Sequence, residues 1–101
     1  MTFQLINIPY VKNDIFEITS YYKEISPTLA SEFIYRLREA QKHILLTPYG
    51  FEIKYKEVRT ILLNQFPYHI HYLINEELKQ IIVLAVSHTY KNPKDYSNRN
   101  K

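Results

Sequence analysis

The chain has 101 residues, of which 46% are hydrophobic, 23% charged and 15% aromatic, with one Gly and no Cys. That is one domain's worth of chain with enough apolar material for a core, which excludes a disordered or low-complexity chain, a disulfide framework, thiolate chemistry and a Cys-based zinc site. Thirteen Lys and Arg against ten Asp and Glu leave a net charge of +3, which permits an acidic partner or a nucleic acid and establishes neither.

Residues 3–8, FQLINI, suit a short strand that is partly apolar on both faces. Pro9 then stops ladder pairing and can open a helix. From residue 10 to about 24 the period is helical, with Val11, Ile15, Ile18, Tyr22 and Ile25 at spacings of three and four. Asp14 and Glu17 fall in its early turns, where the helix dipole favours acids, and Lys23 near its end. Ser26-Pro27 is a strong local signal: Ser caps a helix N-terminus, and Pro at the first helical position has no N–H to leave unpaired. One helix therefore ends near residue 25 and a second begins at once. The second carries Ala30, Phe33, Ile34, Leu37 and Ile44 on one stripe, and Thr47-Pro48-Tyr49-Gly50 ends it. So short a joint predicts an antiparallel helical hairpin.

After Gly50 the period falls to two. Phe51, Ile53 and Tyr55 alternate with Glu52, Lys54 and Lys56, and residues 58–63 form an apolar run around Arg59 and Thr60. Asn64-Gln65-Phe66-Pro67 reads as a turn. Ile70, Tyr72 and Ile74 then face one way, and His69, His71 and Leu73 the other. Residues 75–79 form a polar connection. QIIVLAV (80–86) is apolar on both faces, as a central strand would be. The expected fold class is α+β in two layers: an N-terminal strand, an antiparallel helical hairpin, then an antiparallel meander of three to four strands. The domain runs over residues 1–93, and residues 94–101 form a polar, flexible C-terminal tail.

The chemistry available is limited. One Gly cannot make a phosphate loop, and there is no HExxH helix, no EF-hand loop and no nucleophile elbow. His69 and His71 share a strand face, and His88 ends the last strand. With no acidic partner evident, they read as ordinary polar residues of a sheet, and neither a metal nor a cofactor is expected. Lys54, Lys56, Arg59, His69 and His71, with Lys91 beyond them, would make a basic sheet surface able to meet a phosphodiester backbone or an acidic segment. The plainer alternative is a solvated sheet face with Lys protecting an edge. Of the ten Tyr, the positions of Tyr10, Tyr22, Tyr55 and Tyr72 predict packing, whereas Tyr68 and Tyr90 lie near strand ends beside basic residues and are better placed for a ligand. No apolar run approaches the roughly 18–20 residues that span a bilayer. The N-terminus lacks the basic-then-apolar pattern of a signal peptide. A cytoplasmic location without membrane contact is the expectation.

Several local patterns, taken in order, resemble one family. They begin with Asp14-Ile15 and Ser20-Tyr21-Tyr22, then Ser26 with Ala30, Phe33 and Leu37, then Ile44, Pro48 and Arg59. Phe66-Pro67-Tyr68-His69-Ile70-His71-Tyr72 is similar to an FPY-x-I-x-Y hairpin, and His88-Thr89-Tyr90-Lys91-Asn92-Pro93 to an H-x-x-R-x-P ending. Over some ninety residues the chain resembles the RelE/ParE superfamily of type II toxin–antitoxin toxins, often labelled plasmid stabilisation proteins. The resemblance implies a growth inhibitor held inactive by a cognate antitoxin, with operator DNA reached only through that antitoxin. The ParE-like branch poisons DNA gyrase; the RelE-like branch cuts mRNA in the ribosomal A site. The FPY hairpin and the long helix after Ser26-Pro27 look more like ParE. Were the chain a nuclease, Arg59, His88, Tyr90 and Lys91 would be its catalytic candidates, with Lys54 and Lys56 as further cations. The target-binding candidates are Lys54, Lys56, Arg59, Tyr68, His69 and His71. A toxin that has lost its activity and only binds its antitoxin is the third reading. Lys91 stands where the family pattern has Arg, and Asn92 where Asp is frequent, so a bidentate phosphate clamp is absent there.

Overall fold

Ser26 serves two helices at once. In the computed structural model, which describes residues 2–89 and 95–100, its backbone is extended at φ −166° and ψ 127°. Its N–H donates to the Tyr22 carbonyl at 2.8 Å, closing the first helix. Its hydroxyl accepts from Leu29 N–H at 3.4 Å, opening the second. Helix α1 spans Pro9–Ile25 and helix α2 spans Pro27–Leu46, each with Pro in its first turn, so the hairpin predicted from Ser26-Pro27 forms at that joint.

The strands are β1 (Gln4–Asn7), β2 (Ile53–Tyr55), β3 (Val58–Leu62), β4 (Tyr68–Asn75) and β5 (Gln80–His88). They make one sheet in the order β1-β5-β4-β3-β2. The meander β2 to β5 is antiparallel throughout, and β1 returns to pair in parallel with β5. β5 is thus central over its first half, which is why QIIVLAV is apolar on both faces. A 3-10 turn at Pro48–Gly50 leads from α2 into the sheet. Space is tight at Gly50: a Cβ there would sit 3.3 Å from Thr47 Cβ and Oγ1.

The helical hairpin covers one face of the sheet. Val11, Ile18 and Tyr22 of α1 and Ala30, Phe33, Leu37, Ala40 and Ile44 of α2 pack on Ile61, Ile70, Tyr72, Ile81 and Val83. An aromatic knot holds this layer. The ring of Phe33 lies 5.5 Å from Phe66 and 5.6 Å from Tyr68, and that of Tyr22 lies 5.2 Å from Phe66. The FPY hairpin is therefore a core element that pins the β3–β4 turn under both helices. Tyr68 is only 8% exposed, and burial together with its neighbour Tyr22 pushes its phenol up to about 12. Tyr10, by contrast, is 57% exposed. The two tyrosines exchange the places predicted for them, because the turn after Asn64 folds Tyr68 inward.

Candidate functional site

The expected basic surface does not assemble as one patch. Lys54 and Lys56 were to share a strand face, but β2 ends at Tyr55. Lys56 and Glu57 form the hairpin turn, with φ of 40° and 67°. A two-residue hairpin needs left-handed residues at both positions, and that rotates Lys56 out of the strand alternation. Lys54 pairs with Glu52 at 2.6 Å and Lys56 with Asp95 at 2.5 Å.

Register places the remaining candidates on opposite faces. Arg59 pairs with Tyr72, and His88 with Tyr68, so both belong to the helix-covered face; His69 and His71 alternate to the other. Arg59 donates to the Phe51 carbonyl at 2.5 Å, and its guanidinium lies 5.3 Å from the Tyr49 ring. It anchors the turn that follows α2. Arg59 on β3 and His88 on β5 have β4 between them, and their backbone positions are offset by four residues along it, roughly 13 Å. His88 packs on the Tyr68 ring at 5.1 Å. Tyr90 and Lys91 lie outside the described residues. Among the described residues no three His, Asp or Glu side chains are grouped as metal ligands would be.

His71 is buried at 8% exposure on the face that no helix covers. Its Nδ1 is 3.1 Å from the Tyr55 hydroxyl and its Nε2 is 2.8 Å from Ser87 Oγ. The Tyr96 ring lies on it at 4.8 Å, and Tyr96 N–H donates to the Tyr55 hydroxyl at 3.2 Å. A neutral ring with its proton on Nε2 satisfies this relay: Tyr96 N–H to Tyr55, Tyr55 O–H to Nδ1, Nε2–H to Ser87. Burial lowers His71 to about 4, helped by the neighbouring charges of His69 and Arg99. Burial, then Lys54, also lowers His69. At neutral pH neither ring adds to the positive charge of this face.

Residues 95–100, expected as a flexible tail, lie across the sheet's end. Besides Tyr96, they contribute a 3-10 turn (Ser97–Asn100) that delivers Arg99 to Asp14 of α1 at 2.8 Å. Between α1 and β5 a cleft of about 350 Å³ is lined by Asp14, Glu17, Tyr21, Tyr68, His88 and Arg99, among others. Its floor is the outer edge of β5. β1 stops pairing at Val83, and a bulge follows: His71 pairs with Ala85 but Tyr72 with Val83, leaving Leu84 without a ladder partner. Val86 N–H donates to Asp14 Oδ2 at 3.1 Å, and the Leu84 carbonyl accepts from Arg99 at 3.1 Å. Two side chains thus do for this edge what a further strand would.

Local rules do not reveal this arrangement: the helix dipole accounts for Asp14 without a partner, and Arg99 falls in the polar stretch 94–101. One signal was present: Asp14 sits three residues after Val11 and four before Ile18, beside the apolar stripe of α1, where a carboxylate needs a partner. Nothing local pointed to Arg99.

No family model matches the chain. Toxin ParE2 of Mycobacterium tuberculosis, found in two strains, is 33% identical over 84 residues, covering 82% of this chain and 78% of that protein. The fold is similar to a solved chain of the chromosomal ParDE toxin–antitoxin system of P. aeruginosa, with a TM-score of 0.76 at 19% identity over 86% of this chain and 96% of that one. A chain of the RelBE2 toxin–antitoxin complex of Mycobacterium tuberculosis gives a TM-score of 0.57 at 12% identity, over 87% and 99% of the two chains. With that degree of identity over most of both sequences, and with the same arrangement of hairpin and sheet, this chain belongs to the RelE/ParE superfamily of toxins.

Proposed function

We propose that this protein is the growth-inhibiting toxin of a type II toxin–antitoxin module, neutralised by a cognate antitoxin, and that it acts by binding DNA gyrase. The observation that carries the choice of mechanism is the separation of Arg59 from His88. Cleavage of RNA by its own 2′-hydroxyl needs a base, an acid and a cation around one phosphate. With their backbone positions offset by roughly 13 Å along the sheet and β4 between them, Arg59 and His88 are poorly placed to serve one phosphodiester. Arg59 is, moreover, committed to backbone carbonyls, and Lys54 and Lys56 to carboxylates. A protein that inhibits by holding its target needs none of these groups to converge. The net charge of +3 suits a basic toxin for an acidic antitoxin segment.

Purified toxin added to gyrase and plasmid DNA should leave cleaved DNA trapped on the enzyme. Undisturbed supercoiling at excess toxin would reject the gyrase reading.

The runner-up is a RelE-like, ribosome-dependent endoribonuclease. The observation favouring it is that His88 lines the same cleft as Tyr21, Tyr68 and Arg99. On that reading, toxin with programmed ribosomes gives A-site cuts that fall by orders of magnitude in His88→Ala. A chain inert in both assays, harmless when expressed alone, yet tightly bound by its antitoxin would be a toxin reduced to a binding module.

A further inference from the structure

Arg99 is held as a ligand is held. Its guanidinium donates to Asp14 Oδ2 at 2.8 Å and to the Leu84 carbonyl at 3.1 Å. It lies over the ring of Tyr10 at 4.9 Å and that of Tyr96 at 4.8 Å. A carboxylate, a carbonyl oxygen and two aromatic faces converge on one planar, delocalised and weakly hydrated cation. That is the set of contacts that suits a guanidinium and suits an ammonium less well.

Three of these four contacts belong to the folded body. Tyr10 and Asp14 stand one turn apart on α1, and Leu84 is presented by the bulge of β5. Asp14 is oriented without Arg99, because the same Oδ2 takes the Val86 N–H at 3.1 Å. The receptor is therefore built by elements that close their own core, and the C-terminal turn only enters it. Among the described residues, what else fastens that turn is light: an exposed Lys56–Asp95 pair, and Tyr96 against His71 and Tyr55. The cleft also continues past Arg99 along Glu17, Tyr21 and Tyr68. That leaves room, and a second acid, for the residues on either side of an incoming arginine.

We propose that the cleft between α1 and β5 is a binding site for an arginine side chain, filled in the free protein by its own Arg99 and open to an arginine carried by an extended segment of a partner protein. Arg99 is then a built-in competitor: it protects the β5 edge until a better-anchored segment displaces it. The inference depends neither on gyrase nor on the ribosome as target.

The test uses the full chain and a defined probe, the tripeptide acetyl-Gly-Arg-Gly amide, with its Lys counterpart as control. Binding is followed by NMR at the Val86 amide and the Tyr10 ring. Arg99→Ala should bind the arginine peptide saturably at those two positions, at least about tenfold more tightly than the wild-type protein, in which Arg99 competes. The lysine peptide should bind Arg99→Ala more weakly. Adding Asp14→Asn to Arg99→Ala should weaken binding by about tenfold or more. Should that double variant fail to fold, Arg99→Ala with Tyr10→Leu serves instead: Tyr10 is an exposed ring outside the core, and its loss should also weaken binding. Equal affinity of wild-type and Arg99→Ala protein, equal affinity for the two peptides, or shifts elsewhere than Val86 and Tyr10 would overturn the proposal.

Discussion

The two faces of the sheet are closed by different physics. On one, α1 and α2 bury rings and aliphatic side chains: Tyr22, Phe33, Phe66 and Tyr68 against Ile61, Ile70 and Tyr72. On the other, His71 is buried by hydrogen bonds and ring contacts to Tyr55, Ser87 and Tyr96, with Asp95 of the C-terminal segment paired to Lys56. Apolar burial is non-directional and carries no charge to titrate, so the first face is weakened by removing its atoms and not by a change of pH. The second depends on protonation state and on partners distant in the chain. One face supplies the stability of the domain; the other is where its surface can change.

The largest test of this contrast is Phe33→Ala. Phe33 is fully buried at the centre of the aromatic knot, and truncation should cost about 3–5 kcal/mol. Against a total of about 5–15 kcal/mol for a domain of this size, denaturant titration should show a large drop in midpoint, and an unchanged midpoint would remove the knot from its central place.

Next comes acid. Unfolded His71 titrates near 6.5 and folded His71 near 4. Above 6.5 both states are neutral and the stability is complete. Between 6.5 and 4 only the unfolded chain takes the proton, so stability falls with pH by about 3 kcal/mol in that window. Denaturation measured at pH 7 and pH 4 should show this fall in the wild-type protein and much less of it in His71→Gln, while Phe33→Ala keeps the wild-type slope. A His71→Gln protein with the full slope would mean that other groups carry the acid sensitivity.

A smaller effect is expected for Tyr72→Phe. The Tyr72 hydroxyl donates to the Pro48 carbonyl at 2.6 Å, fastening the turn after α2 to the sheet. Its loss should cost about 1–2 kcal/mol in thermal or denaturant unfolding. The smallest is a gain. Glu57 holds φ 67° in the β2–β3 turn, a conformation that costs a side chain about 1 kcal/mol and Gly nothing. Glu57→Gly should leave the protein equally or slightly more stable, and a clear loss would show that the Glu57 side chain has a role beyond the turn.

Much of the architecture was legible in local sequence. The Ser26-Pro27 joint, the helical stripe Ala30-Phe33-Leu37-Ile44 and the doubly apolar β5 each follow from short-range rules of capping and periodicity, and the structure has them where those rules put them. The candidate site was less legible. Alternation alone put His69 and His71 opposite Ile70 and Tyr72, but the faces of Lys56 and His88 depended on register. That register was changed by a bulge at Leu84 and a left-handed turn at Lys56-Glu57. Neither carries the Gly or Asn that would have announced it.

By itself the sequence determined a helical hairpin over an antiparallel meander, and the superfamily to which such a chain belongs, because capping, hydrophobic period and motif order are properties of neighbours in the chain. Only the tertiary structure decided that β1 pairs in parallel with β5, that Tyr68 is core while Tyr10 is surface, and that Asp14 meets Arg99. The reason is distance along the chain. Asp14 and Arg99 are 85 residues apart, and a charge-assisted contact between them leaves no periodic trace in either segment. It exists because the end of β1 leaves the edge of β5 open, and an unpaired edge draws in whatever donors and acceptors the folded chain can bring to it.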